Sequence, residues 1–524
     1  MRHRIVVLAL LAGLATGASA GQLAAQSDLG EVNFLTSGSP EAQDHFIRGV
    51  LLLHSFEFAD AGGAFRAAQD VDGGFAMAYW GEAMSYNHPL WAEQDAEAAR
   101  AALERLAASP VARAREAPTE RERDYLQAVE VLYGEGTKYE RDFAYAEAMR
   151  RLHQKYPDDD EAKAFYALAV LGTAHEGRDH AVYMRAAALA EEVFRDNPEH
   201  PGAAHYLIHS YDDPVHAPLG LRAALAYSEV APAASHAQHM TSHIFVALGM
   251  WDEVVSANET AVAVADRRRE AKSLPLDARN LHALHWLAYG YLQQGRYDDA
   301  RELLEVMGSH AEEVGSRRSR THLAMMRADY IANTRRWDDP AAEIEVDVTD
   351  LSPDVAARNY FASGVAALER GDRMAAERAL VAIGEIREGA SRGSTYPPDI
   401  QATKVMALEF QALLAGANGN AAEALDLMRE AAALEDEIPY QYGPPSIPKP
   451  SHELLGEALL EAGSPDEAVL AFEMALARAP SRPASLLGLA QAAEATGDRE
   501  TAEAARATLR EVWHRADSEV LSRR

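Results

Sequence analysis

The chain has 524 residues, of which 50 are Lys or Arg and 81 are Asp or Glu, giving a formal charge of −31. That balance argues against a nucleic-acid binder, because phosphate contacts need Lys and Arg. Cysteine is absent, which removes disulfides, thiolate metal ligands, iron–sulfur clusters and Cys nucleophiles.

The chain opens with Met1-Arg2-His3-Arg4, a short positive stretch. Ile5 to Ala15 is apolar and small, and Ala18-Ser19-Ala20 fits an A-x-A cleavage site. Residues 1–20 therefore read as a secretory signal peptide. The apolar run is too short to cross a ~30 Å hydrocarbon core, and no later segment reads as a membrane span. The expected location is the periplasm or the exterior, with residues 21–39 as an N-terminal extension.

Beyond residue 40, strand signals are scarce. Ala, Leu and aromatic residues recur at i, i+3, i+4 and i+7 over segments of about 12–18 residues. Gly, Pro and Asp-rich breaks separate them. The spacing predicts an all-α chain of antiparallel helix pairs over 40–515, followed by a tail, 516–524. Gly49, Ala61, Phe65 and Ala68 fit a first unit. Residues 93–155 read as helical but match the pattern poorly. Gly249-Met250-Trp251-Asp252-Glu253 and Gly295 to Ala300 have the turn that joins two helices. Gly364, Gly371 and Ala376 fit a further unit, as do Gly419, Ala424 and Ala431. The clearest unit runs from Lys449 to Arg482. Gly456 and Ala468 let two backbones approach, Phe472 fills the groove between helices, and Pro480 cannot continue a helix. A shift of 34 residues lands on Leu489-Ala490, Gly497 and Ala502.

This unit resembles the tetratricopeptide repeat, and the resemblance covers most of residues 40–515. It implies a right-handed superhelical solenoid with a concave inner surface where ligands bind. The histidine stretch described below is similar to one found in exported bacterial proteins of that type. Three stretches interrupt the rhythm: 267–279, 337–353 and 438–450. The last is rich in proline and must be extended. It reads as a connector, the other reading being a lid that carries Tyr440 and Tyr442.

Histidine placement carries the functional expectation. His205 and His209 are i, i+4; His236, His239 and His243 are i, i+3, i+7; His282 and His285 are i, i+3. Each group lies on one stripe of one helix. The groups also match one another: 34 residues separate His205 from His239 and His209 from His243, and 46 separate His236 from His282 and His239 from His285. One step is the repeat length, and the other adds a segment that 267–279 can absorb. The histidines avoid the packing places of the repeat and fall on the stripe that lines the concave surface in the family the chain resembles. Adjacent packed helices lie ~8–10 Å apart, so imidazoles from neighbouring units can converge on one ion. With no thiolate present, the expected ligands are His and carboxylate, and the expected metals are zinc, copper, nickel or iron.

Asp212, Glu453 and Glu457 are candidate carboxylates, with Asp213 beside Asp212. His54, His88 and His216 are further candidates for which capping or turn roles serve equally well. His452-Glu453-Leu454-Leu455-Gly456 lacks the second His of a zinc-protease motif and is rejected as one. Three functions stay open: a metal-binding scaffold, a groove that takes a peptide or protein partner without metal, and a metal-dependent hydrolase in which the ion activates water.

Overall fold

The computed structural model describes residues 28–390 and 396–522. The segment 1–20 that reads as a signal peptide lies outside them, as do the first part of the 21–39 extension and the last two residues of the tail. The described residues contain 25 α-helices. Their one strand pair is minimal, with Asn87 opposite Gln94 and His88 opposite Glu93. None of the helices is long and apolar enough to cross a membrane. The architecture is all-α, built of antiparallel helix pairs of tetratricopeptide-like packing.

Contacts divide the chain into two compact units. The first holds 28–173, 185–207 and 225–237; the second holds 174–184, 208–224 and 238–522.

The first unit opens with the pair Pro40–His54 and Phe58–Val71. Ser39 caps the first helix by accepting from the Ala42 N–H, and Pro40 follows where a missing N–H costs nothing. Gly49 is the crossing point: a Cβ there would lie 2.6 Å from the Phe65 ring. Phe34, Phe46, Trp80 and Tyr125 form the aromatic core beside it. The poorly matched stretch folds as four helices, Ala96–Leu106, Pro110–Glu116, Glu120–Leu132 and Lys138–Lys155. Thr119 with Glu122, and Thr137 with Glu140, form capping boxes that start the last two.

In the second unit, Ser451–Glu461 pairs with Pro465–Arg478 around a fully buried Phe472. A Cβ on Gly456 would stand 2.8 Å from that ring and one on Gly488 2.2 Å. One aromatic plug thus seats two consecutive units. Gly463, at φ +77, ends the first helix in the left-handed conformation that a side chain disfavours.

The interruptions differ in kind. Residues 267–271 are helical, because Trp251–Ala271 runs through them on a sequence of good helix formers. Only 272–280 leaves the helix, with one short turn at Leu276–Ala278. Residues 438–450 have no regular structure, as five prolines require.

Candidate metal centre

Three helices of the second unit bring histidines together: Ser235–Leu248, most of which lies in this unit, Leu281–Gln293, and the end of Pro201–Tyr211. His239, His243 and His282 each place one ligand nitrogen within 4.8 Å of the other two.

The tautomers of two of these rings follow from their neighbours. Asn258 donates its amide N–H to the Val254 carbonyl at 2.8 Å, so its Oδ1 is the atom 2.7 Å from His239 Nδ1. His239 must donate from Nδ1. His243 Nδ1 lies 2.9 Å from Asp212 Oδ2. Burial works against ionisation of Asp212, but the Arg178 guanidinium and the neighbouring His209 and His243 imidazoles outweigh it and hold the carboxyl well below its usual range. Asp212 is therefore an acceptor, and His243 also donates from Nδ1. Each ring is left with its lone pair on Nε2. Those two Nε2 atoms face each other at 3.3 Å.

Two lone pairs at that distance repel unless a cation lies between them. A proton is disfavoured there. Burial pushes the His243 imidazole down to about 4, against the pull of Asp212. Burial and then His243 push His239 well below its ordinary value. His282 is lowered in the same way, by burial and then by His239 and His322. A tetrahedral ion with metal–nitrogen bonds of about 2.0–2.1 Å sets its ligand nitrogens about 3.3 Å apart, so the spacing suits a metal.

The surroundings orient the rings. Arg178 donates to Asp212, and it reaches Asp213 at 3.3 Å. Trp286 stacks on His243 with centroids 4.5 Å apart, and Tyr442 packs on it at 4.8 Å. His209 lies edge-on to His243 at 5.3 Å, with its Nδ1 3.6 Å from Asp212. Gly443 touches Trp286 so closely that a Cβ would fall 2.3 Å from the indole, and its φ of +96 already favours glycine. The 438–450 segment is thus a connector that also covers the histidines. The stripe expected to line an open surface is mostly buried in this unit, because Tyr442 and Gly443 pack over it.

The other candidates make the following contacts. His285 donates from Nε2 to Asp329 at 2.8 Å. His205 belongs to the first unit and gives Nδ1 to the His54 carbonyl at 2.7 Å. His236, also in that unit, stacks on Phe56, and its backbone N–H donates to Glu57. His88 stacks on Phe58 at 4.1 Å. His54 donates from Nε2 to Glu161 at 2.7 Å, and His200 donates to the same carboxylate at 3.2 Å. His216 is bound to Asp213, which also caps its backbone. Glu453 is held by Arg482, Ser485 and Lys449, and Glu457 by Arg335 and Lys449. Neither glutamate is among the groups whose ligand atoms converge in the described residues.

Sequence reasoning missed Arg178, Asn258, Trp286, Asp329 and His322. Asp329 and His322 share one helix, Arg317–Thr334.

The second unit also has an open groove of about 630 Å³. Trp337, Phe361, Leu413 and Leu454 line it, and Arg335 and Glu457 pair at its wall.

No family model and no curated protein sequence matches the chain. Solved structures similar to it include yeast Tom70, at 14% identity over 88% of this chain and 96% of that one, with a TM-score of 0.35. Another is the human IFIT1 dimer with m7Gppp-AAAA, at 13% identity over 92% and 91%, with a TM-score of 0.36. A third is a fungal kinesin light chain with nearly identical TPR-like repeats, at 22% identity over 44% and 94%, with a TM-score of 0.22.

Proposed function

We propose that this chain is an exported tetratricopeptide-like protein that binds a transition metal through His239, His243 and His282. The observation that carries the reading is the pair of Nε2 atoms at 3.3 Å, both left as lone-pair acceptors by the groups behind them. An imidazole whose other nitrogen donates to a carboxylate is the usual form of a histidine metal ligand. Neutral nitrogen donors without thiolate suit zinc, copper, nickel or iron, and do not suit magnesium or calcium. The pattern in residues 1–20 supports export.

Elemental analysis of tag-free protein tests the reading. Zinc or copper is expected in at least stoichiometric amount after loading and dialysis. Less than about a tenth of an equivalent would overturn it, because a buried site of three histidines retains its ion through dialysis. X-ray absorption then counts ligands: three protein nitrogens plus water favour hydrolytic chemistry, and four protein ligands a structural ion.

The groove beside Arg335 and Glu457 favours a second role, docking of a peptide segment. Its apolar walls and paired charges suit an amphipathic chain. Bulky changes at Leu413 would then abolish binding of partner peptides while leaving metal content intact.

A further inference from the structure

The Arg178 guanidinium anchors two carboxylates, and each carries a histidine. Asp212, on one side, accepts from the buried His243. Asp213, on the other, has its Oδ2 3.3 Å from Arg178 and 2.8 Å from His216 Nδ1. Asp213 Oδ1 also accepts the backbone N–H groups of Val215 at 3.0 Å and His216 at 3.1 Å. Surrounded by donors, Asp213 is an acceptor. His216 therefore donates from Nδ1 and keeps its lone pair on Nε2. The Asp213 side chain is 2% exposed and that of His216 23%, so a buried carboxylate orients a ring that reaches solvent.

A second ring stands beside it. His180 opens the helix His180–Asp196 and is exposed. Its centroid lies 5.2 Å from that of His216. Two imidazoles bound through Nε2 to one tetrahedral ion, with bonds of about 2.0–2.1 Å, hold their centroids about 5 Å apart. His180, Asp213 and His216 each place one ligand atom within 4.8 Å of the other two. Capping explains the bonds from Asp213 to the backbone, but it leaves the pairing of His180 with His216 unexplained.

All three residues belong to the second unit. None is a ligand of the His239–His243–His282 position, so their lone pairs are uncommitted to that ion. We propose that His180 and His216, oriented by Asp213, form a second transition-metal position that faces solvent and exchanges its ion. Two imidazoles supply the protein bonds, the carboxylate behind His216 raises the basicity of that ligand, and water completes the shell. Fewer protein ligands and an open face make this ion the weaker of the two.

The test is zinc binding to full-length, tag-free protein that has been stripped with chelator. Equilibrium dialysis against zinc should give two ions per chain, and dialysis into zinc-free buffer should leave one. His180→Ala, a change at an exposed position, should remove the exchangeable ion and keep the retained one, and His216→Gln should do the same. His514→Ala, at an exposed histidine elsewhere, should still bind two. A single ion that resists dialysis would overturn the outer position and leave the inner one standing. A second ion that persists in both His180→Ala and His216→Gln would also overturn the outer position. A single exchangeable ion, lost in His180→Ala, would overturn the inner position and leave the outer one. No ion at all would overturn both.

Discussion

Both units bury a histidine cluster with a carboxylate, and the position of the carboxylate separates them. In the first unit Glu161 lies between His54 and His200 and accepts an N–H from each. The remaining nitrogens are also matched: the Tyr206 hydroxyl meets His54 Nδ1 at 2.8 Å, and the Ala203 N–H donates to His200 Nδ1 at 3.1 Å. Every ring nitrogen of the two histidines has a partner, so the cluster is a satisfied structural network. In the second unit Asp212 lies behind His243, and the lone pairs of His243 and His239 are turned toward each other. Composition alone makes both clusters look like metal sites. The direction of the N–H bonds distinguishes them.

The largest effect that would test this contrast is Glu161→Ala. It should destabilise the chain by about 3–5 kcal/mol, because two buried imidazoles lose their acceptor. Metal content should not change. Urea unfolding and elemental analysis on the same sample check both halves. A loss of metal would mean that the first cluster also holds an ion.

The pH dependence of the metal-free protein comes next. His243 titrates at about 4 in the folded chain, against about 6.5 when unfolded. Between these values the unfolded chain binds more protons, so stability falls as the pH drops from about 6.5 to about 4 and levels off below. His243 alone contributes up to about 3 kcal/mol across that window. Loading with zinc should add stability above the window, through binding to the native state alone. Urea midpoints of wild type and His243→Gln at pH 7 and pH 4.5 measure the difference.

Asp212→Asn sharpens the comparison further. Losing the carboxylate behind His243 should lower zinc affinity about 10–100-fold while the fold persists. Isothermal titration reads it directly. The smallest effect belongs to Glu457→Gln in the groove. Its partner Arg335 is half exposed, so the change in thermal midpoint should correspond to about 1 kcal/mol or less.

Much of the fold was legible because packing constraints are local in a repeat. Gly456, Ala468 and Phe472 announced a helix pair by spacing alone, and the structure seats Phe472 against Gly456 as that spacing requires. The histidine register likewise placed His239, His243 and His282 on facing stripes. Their burial was not legible. The residues that cover them, Tyr442 and Gly443, stand about 200 positions further along the chain, in a segment with no period to read. Arg178 was equally hidden, on a non-helical stretch between helices. His322 escaped because its distance from His285 is 37 residues, which matches neither the 34-residue nor the 46-residue step. The in-register pattern also joined His205 and His236 to the set; their rings lie 5.0 Å apart in the first unit, beside Phe56.

Trp286 stacks on His243 and is pressed by Gly443 on the covering segment. Its indole therefore serves as a built-in optical gauge. A paramagnetic ion such as Cu²⁺ arriving at the imidazoles would quench its emission at once, while Zn²⁺ would only shift the emission colour. Filling of the pocket can then be followed in real time without attaching any dye.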